Sequence, residues 1–141
     1  MADFDVDVKT GEGFENRAIK LLSSRFKLVK WRPGEYAPEY DLVCTETGTK
    51  IECKTCSRVN ETGNIIIETK ALRLCEADLF LYEDALSGYI YWAKWPELKY
   101  WIELAVEIGD YQERVVGENN TLGYIVPLEH TIAYMNKWRI E

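Results

Sequence analysis

The feature that most constrains this chain is a pair of short strand-like runs, residues 40–45 and 49–56, joined by Glu46-Thr47-Gly48. A glycine-bearing turn between two such runs predicts a β-hairpin. Strand side chains alternate between faces, so Glu52 and Lys54 share one face while Ile51, Cys53 and Thr55 point the other way. Folding the second strand back on the first sets the start of one beside the end of the other. Asp41 is thereby brought next to Glu52 and Lys54.

Two carboxylates and an ammonium on one strand face admit two readings. One is a cross-strand salt bridge on a solvated sheet. The other is a site for hydrolytic phosphoryl transfer. In that reading the carboxylates hold Mg²⁺, a hard ion that takes oxygen ligands. The ion polarises a phosphate and lowers the pKa of a bound water, and the lysine orients that water and offsets phosphate charge.

The surrounding pattern predicts one α/β (α+β) domain over residues 1–141, a length suited to a single compact unit. Residues 1–10 read as a polar lead-in and residues 11–26 as a helix. Residues 27–31 read as a strand that Arg32-Pro33-Gly34 breaks. Asn64–Glu68, Leu79–Tyr82 and Tyr89–Ala93 read as strands, the last two split by Ser87-Gly88. Pro96 suits the first turn of a helix to about Val106. A turn-rich loop over 118–123, a strand Gly123–Val126 and a short helix Pro127–Tyr134 follow. Helix, strands, then helix and strand imply a mixed sheet flanked by helices. On a wheel of residues 14–26, Phe14, Ala18, Ile19, Leu21, Leu22 and Phe26 fill one arc, opposite Asn16, Arg17, Lys20, Ser23 and Ser24. Glu15 falls inside the apolar arc, where a carboxylate is costly without a partner. It either reaches solvent at the helix start, favouring the dipole, or serves a site. Glu12 lies at the edge of the arc and is read as solvent-facing.

The order helix with Glu15, strand opening with Asp41, then Glu52-x-Lys54 on the next strand resembles the PD-(D/E)XK nuclease superfamily, over about residues 11–95. That superfamily includes restriction enzymes, Holliday-junction resolvases and phage nucleases. Gly63-Asn64-Ile65-Ile66-Ile67-Glu68, followed by Ala77-Asp78-Leu79-Phe80-Leu81-Tyr82, looks like segments of its small phage-type members. The resemblance implies a restriction-endonuclease-like core and a Mg²⁺- or Mn²⁺-dependent deoxyribonuclease, a DNA endonuclease with structure-specific or phage-encoded use. It implies Asp41, Glu52 and Glu15 as metal ligands, Lys54 as the catalytic lysine and Glu68 as an accessory acid. Many superfamily members dimerise, which makes a homodimer an expectation here. Two positions depart from the pattern: Tyr40 stands where the motif has Pro, and Cys56 where related members often carry Asp.

The net charge of −7 weighs mildly against a nucleic-acid partner. The excess lies entirely in one half, since residues 1–74 hold 12 basic and 12 acidic residues and residues 75–141 hold 5 and 12. DNA, whether duplex, branched or single-stranded, therefore stays the expected partner. The acidic half alternatively suits a catalytically weak binding or inhibitory protein on the same fold. No apolar run reaches the length of a membrane helix and no secretory leader is read, so a cytoplasmic protein with reduced cysteines is expected. Cys53-x-x-Cys56 raises a zinc or redox module, but on a strand those two residues face opposite sides, which favours buried free thiols for all four cysteines, Cys44 and Cys75 included. His130, the only histidine, is read as structural. The aromatics between Tyr89 and Trp101 are read as core, with a minor option of stacking on unpaired bases.

Overall fold

A computed structural model describes residues 13–35, 37–56, 62–84, 88–116, 121–131 and 136–139. Outside these lie the expected lead-in at 1–10, Glu12, the loop at 118–120 and the helix tail at 132–134; the side chain of Cys56 is likewise outside the description.

The described part of the first helix, α1, is residues 13–21, and the helix ends five residues before its sequence pattern predicts. Its end has a local cause. The Ser23 hydroxyl donates to the Lys20 carbonyl at 2.7 Å, and the serine pair closes the helix into turns. Strands β1 (Leu28–Lys30), β2 (Leu42–Cys44) and β3 (Lys50–Cys56) follow as an antiparallel meander. Gly48 carries the left-handed φ of 76° that the β2–β3 turn requires.

After β3 the chain leaves the sheet. Strand β4 (Asn64–Glu68) and a short helix α2 (Thr69–Leu74) precede β5 (Leu79–Asp84), which returns parallel to β3. Strand β6 (Tyr89–Lys94) pairs back on β5 and runs directly into α3 (Trp95–Glu107), whose first turn accommodates Pro96. Strands β7 (Arg114–Val116) and β8 (Thr121–Pro127), a 3-10 turn at Leu128–Thr131 and β9 (Asn136–Arg139) complete the described chain. The mixed central sheet has the order β1-β2-β3-β5-β6-β9, and a small sheet has the order β4-β8-β7. The fold is thus α+β with a mixed central sheet, as expected. Four details differ: β4 belongs to the small sheet, β8 begins at Thr121, the described part of the expected helix after Pro127 is a 3-10 turn, and α2, β7 and β9 are additions.

Strand alternation sorts the core into two layers. Leu28, Leu42, Ile51, Leu81 and Ile90 face α1 and bury Phe14 and Ala18. Phe80, Tyr82 and Ala93 face the other way, against Ile65 and Ile67 of β4, Tyr124 and Val126 of β8, and Trp95, Leu98 and Ile102 of α3. The last three recur at helical spacing and give α3 its buried stripe. Gly123 is required where β8 meets β4, because a Cβ there would stand 2.7 Å from the Ile67 carbonyl oxygen. Among the described residues, no helix is long and apolar enough to cross a membrane.

Candidate active site

The β2–β3 register pairs Leu42 with Ile51, so one more residue along the hairpin sets Asp41 against Glu52. Asp41 is held by two backbone hydrogen bonds and one to its carboxylate. Its N–H donates to the Ile51 carbonyl at 3.0 Å, its carbonyl accepts from Trp31 N–H at 2.9 Å, and its carboxylate oxygen Oδ2 accepts from Cys53 N–H at 2.8 Å. The side chain is thereby aimed across at β3.

Glu52 lies on the layer that also holds Phe80 and Tyr82, its neighbour and its neighbour's successor but one on β5. It is 5% exposed. Burial, then the hydrogen bond and the negative charge of Asp41, push the Glu52 carboxyl up to about 9 from an ordinary 4.5. Lys54 and the thiol of Cys75 act in the opposite direction. Near neutral pH the pair therefore holds a proton: Cys75 donates to Glu52, and Glu52 donates to Asp41. The Cys75 thiol is itself pushed up to about 12, by burial first and by Glu52 next.

Lys54 sits two residues on, across from Tyr82. Its surroundings disfavour the charge by desolvation, but Glu52, Glu68 and Asp41 outweigh that and raise its pKa, so it stays an ammonium. Glu68 at the end of β4 is 3.9 Å from the Lys54 nitrogen and 3.6 Å from that of Lys70. Tyr82 holds β4 in place for this, because its hydroxyl accepts from Ile66 N–H at 3.2 Å.

Glu15 is half-buried on α1, and so approaches from the Cys53 side of β3. Its charge, after burial and the charges of Asp41 and Glu52, helps push the Cys53 thiol up. The structure thus brings Asp41, Glu52, Lys54 and Glu68 together on one face, with Glu15 flanking them from the other layer. Among the described residues, no three His, Cys, Asp or Glu side chains converge into a metal cage. Two carboxylates still fit Mg²⁺, which is commonly held by one or two carboxylates and completed by water and phosphate. Two cavities lie away from these residues. One of about 310 Å³ is lined by Arg17, Lys20, Leu21, Glu83, Gly88 and Ile90, and one of about 480 Å³ opens beside Tyr111 and Arg114. The face itself is open to solvent at Lys54, whose side chain is 37% exposed.

Sequence reasoning missed Cys75 as a neighbour of Glu52. It placed the thiol as buried, which holds, but the segment after α2 carries no motif that ties it to β3. The described cysteines Cys44, Cys53 and Cys75 are free thiols. His130 shares a 2.8 Å hydrogen bond with the Tyr111 hydroxyl. No protein-family model matches the chain, and no curated protein matches it.

Proposed function

We propose that this chain is a metal-dependent deoxyribonuclease that hydrolyses phosphodiester bonds, with Asp41, Glu52 and Lys54 as its reactive core. The observation that carries this reading is Glu52. A buried carboxyl facing a second carboxylate is costly as an anion, and Lys54, whose positive charge favours the ionised form of Glu52, also answers to Asp41 and Glu68. A divalent cation from solution would replace the shared proton and remove that imbalance. Mg²⁺ or Mn²⁺ held by Asp41 and Glu52 would supply Lewis-acid polarisation of the phosphate and a more acidic water.

The protein groups have separable duties. Cys53 N–H orients the Asp41 carboxylate. Lys54, held charged by its carboxylate neighbours, serves as an electrostatic partner for the phosphate oxygens and not as a base. Glu68 holds the lysine toward the strand face. Glu15 is assigned an outer position from which its charge adds to the site's attraction for a cation.

The test is incubation with supercoiled, linear and branched DNA in Mg²⁺, in Mn²⁺ and in EDTA, beside Lys54→Ala. We expect cleavage that needs the metal and that falls at least about a hundredfold in the variant. Cleavage in EDTA, or none on any substrate with either metal, overturns the assignment. Stoichiometric binding without cleavage would point to the inhibitory role instead.

A further inference from the structure

The small sheet and α3 cover the face of the central sheet that carries Glu52. Toward β1 two large apolar side chains on or beside that face stay exposed. Leu28 points into the α1 layer, so Val29, next on β1, faces the Glu52 side. Trp31, one residue past the end of β1, lies against Tyr40, which belongs to the core layer of that side. Val29 and Trp31 are 46% and 42% exposed, although both are large and apolar.

Trp31 is not merely uncovered; it is braced. Its ring lies against that of Tyr40 with centroids 5.0 Å apart and planes 33° apart, and Tyr40 is buried beneath it. The Lys50 ammonium stands 5.7 Å from the centre of the Tyr40 ring. Lys50, Glu52 and Lys54 occupy alternate positions of β3 and therefore one face. Arg32 follows Trp31 and meets Glu39 only at 3.9 Å, with its side chain 44% exposed. The Trp31 backbone is bonded directly to Asp41. The exposed Trp31 ring, with Lys50 on its Tyr40 support and Arg32 next to it in the chain, thus stands two strand spacings, or about 10 Å, from Glu52.

We infer that Trp31 is a stacking platform for an unpaired nucleobase, with Lys50 and Arg32 holding the adjoining phosphates, so that the substrate enters as single-stranded or locally opened DNA. The inference rests on the phosphodiesterase reading and narrows it to a substrate class. The chemistry favours a base over other partners. A flat aromatic face with cations at its margin matches the π-face and flanking phosphates of a nucleotide, and stacking of this kind tolerates any base. Bases inside an intact duplex are already stacked on their neighbours and cannot lie on the ring. The Tyr40 support lowers the ordering cost, since the ring is held before the base arrives.

The experiment is fluorescence anisotropy of the full chain in EDTA, where cleavage does not interfere, with labelled oligo(dT) and a blunt duplex of equal length. Wild type, Trp31→Ala, Trp31→Phe and Lys50→Ala are compared, with circular dichroism as the folding control. Wild type should bind oligo(dT) in preference to the duplex. Trp31→Ala should weaken oligo(dT) binding by about tenfold, Trp31→Phe should recover most of it, and duplex binding should hardly change. Lys50→Ala should weaken both and flatten the salt dependence. Equal oligo(dT) affinity in wild type and Trp31→Ala, or no oligo(dT) binding by either, overturns the platform whatever the cleavage assay gives. If the stacking pattern holds but no metal yields cleavage, the platform stands and the hydrolase assignment is what fails.

Discussion

Two buried glutamates on neighbouring strands, Glu52 on β3 and Glu83 on β5, point to opposite faces of the same sheet and are treated in opposite ways. Glu83 is 7% exposed and fully partnered. Arg17 of α1 donates to it from Nη2 at 2.6 Å and from Nε at 3.3 Å, and the Thr55 hydroxyl donates at 3.0 Å. A fork of donors meets a carboxylate, and the charge is settled within the protein. Glu52 is as deeply buried, yet it faces Asp41, a weakly donating thiol and a lysine that Glu68 also claims. One glutamate joins a helix to a sheet. The other is left to take its compensation from solution, as a proton or a cation, and strongly perturbed groups of that kind collect at functional sites.

The largest effect that could break this contrast is the pH dependence of stability. The folded Glu52 carboxyl lies at about 9, above its ordinary 4.5, so folding is favoured by proton binding. That contribution is complete below about 4.5 and is lost as pH rises toward 9. Metal-free protein should therefore lose on the order of a few kcal/mol between pH 5 and pH 9. Denaturant titrations across that range should show the loss in wild type and little of it in Glu52→Gln, and Mg²⁺ or Mn²⁺ should restore wild type at the alkaline end. Parallel profiles for the two proteins would erase the distinction between the glutamates.

Arg17→Ala probes the other member. It strips Glu83 of its fork and leaves the Thr55 hydroxyl. Removing one partner of a fully buried pair costs roughly 3–5 kcal/mol, but half of the Arg17 side chain is in water, so about 1–2 kcal/mol is expected. The loss should be alike at pH 5 and pH 8 and indifferent to metal. A metal-sensitive loss would mean that the two glutamates act as one site.

What could be read from the chain follows the range of the interactions. Asp41, Glu52 and Lys54 were legible because a period of two and one glycine turn place them within fourteen residues. Phe14 and Ala18 were legible from helical spacing. The pairing of β4 with β8 joins residues some sixty positions apart, and nothing in Asn64–Glu68 distinguishes a strand of one sheet from a strand of another. Helix α2 has six residues and no side-chain cap, so it leaves no start signal, and with it the approach of Cys75 to Glu52 was hidden. Exposure of Trp31 depends on which elements fail to cover β1. The aromatics at 89–101 were the more visible candidates, yet Trp95 is core and Tyr100, 70% exposed, lies on α3.

The smallest effect concerns the hinge between the two kinds of glutamate, Glu68. It is neither buried like Glu83 nor crowded like Glu52; its side chain is 24% exposed and it reaches two lysines at 3.9 and 3.6 Å. A pair that open contributes less than about 1 kcal/mol, so Glu68→Gln should leave stability nearly unchanged. Its charge is nevertheless among the causes that raise Lys54. Removing it should lower the Lys54 pKa, which a ¹⁵N-lysine NMR titration reads directly, without any assay of turnover. The alkaline limb of the pH–rate profile should move to lower pH in step. If the Lys54 resonance titrates unchanged in Glu68→Gln, then Glu68 is a sheet-edge carboxylate that happens to lie near the lysine, and Lys54 is held charged by the Asp41–Glu52 pair alone.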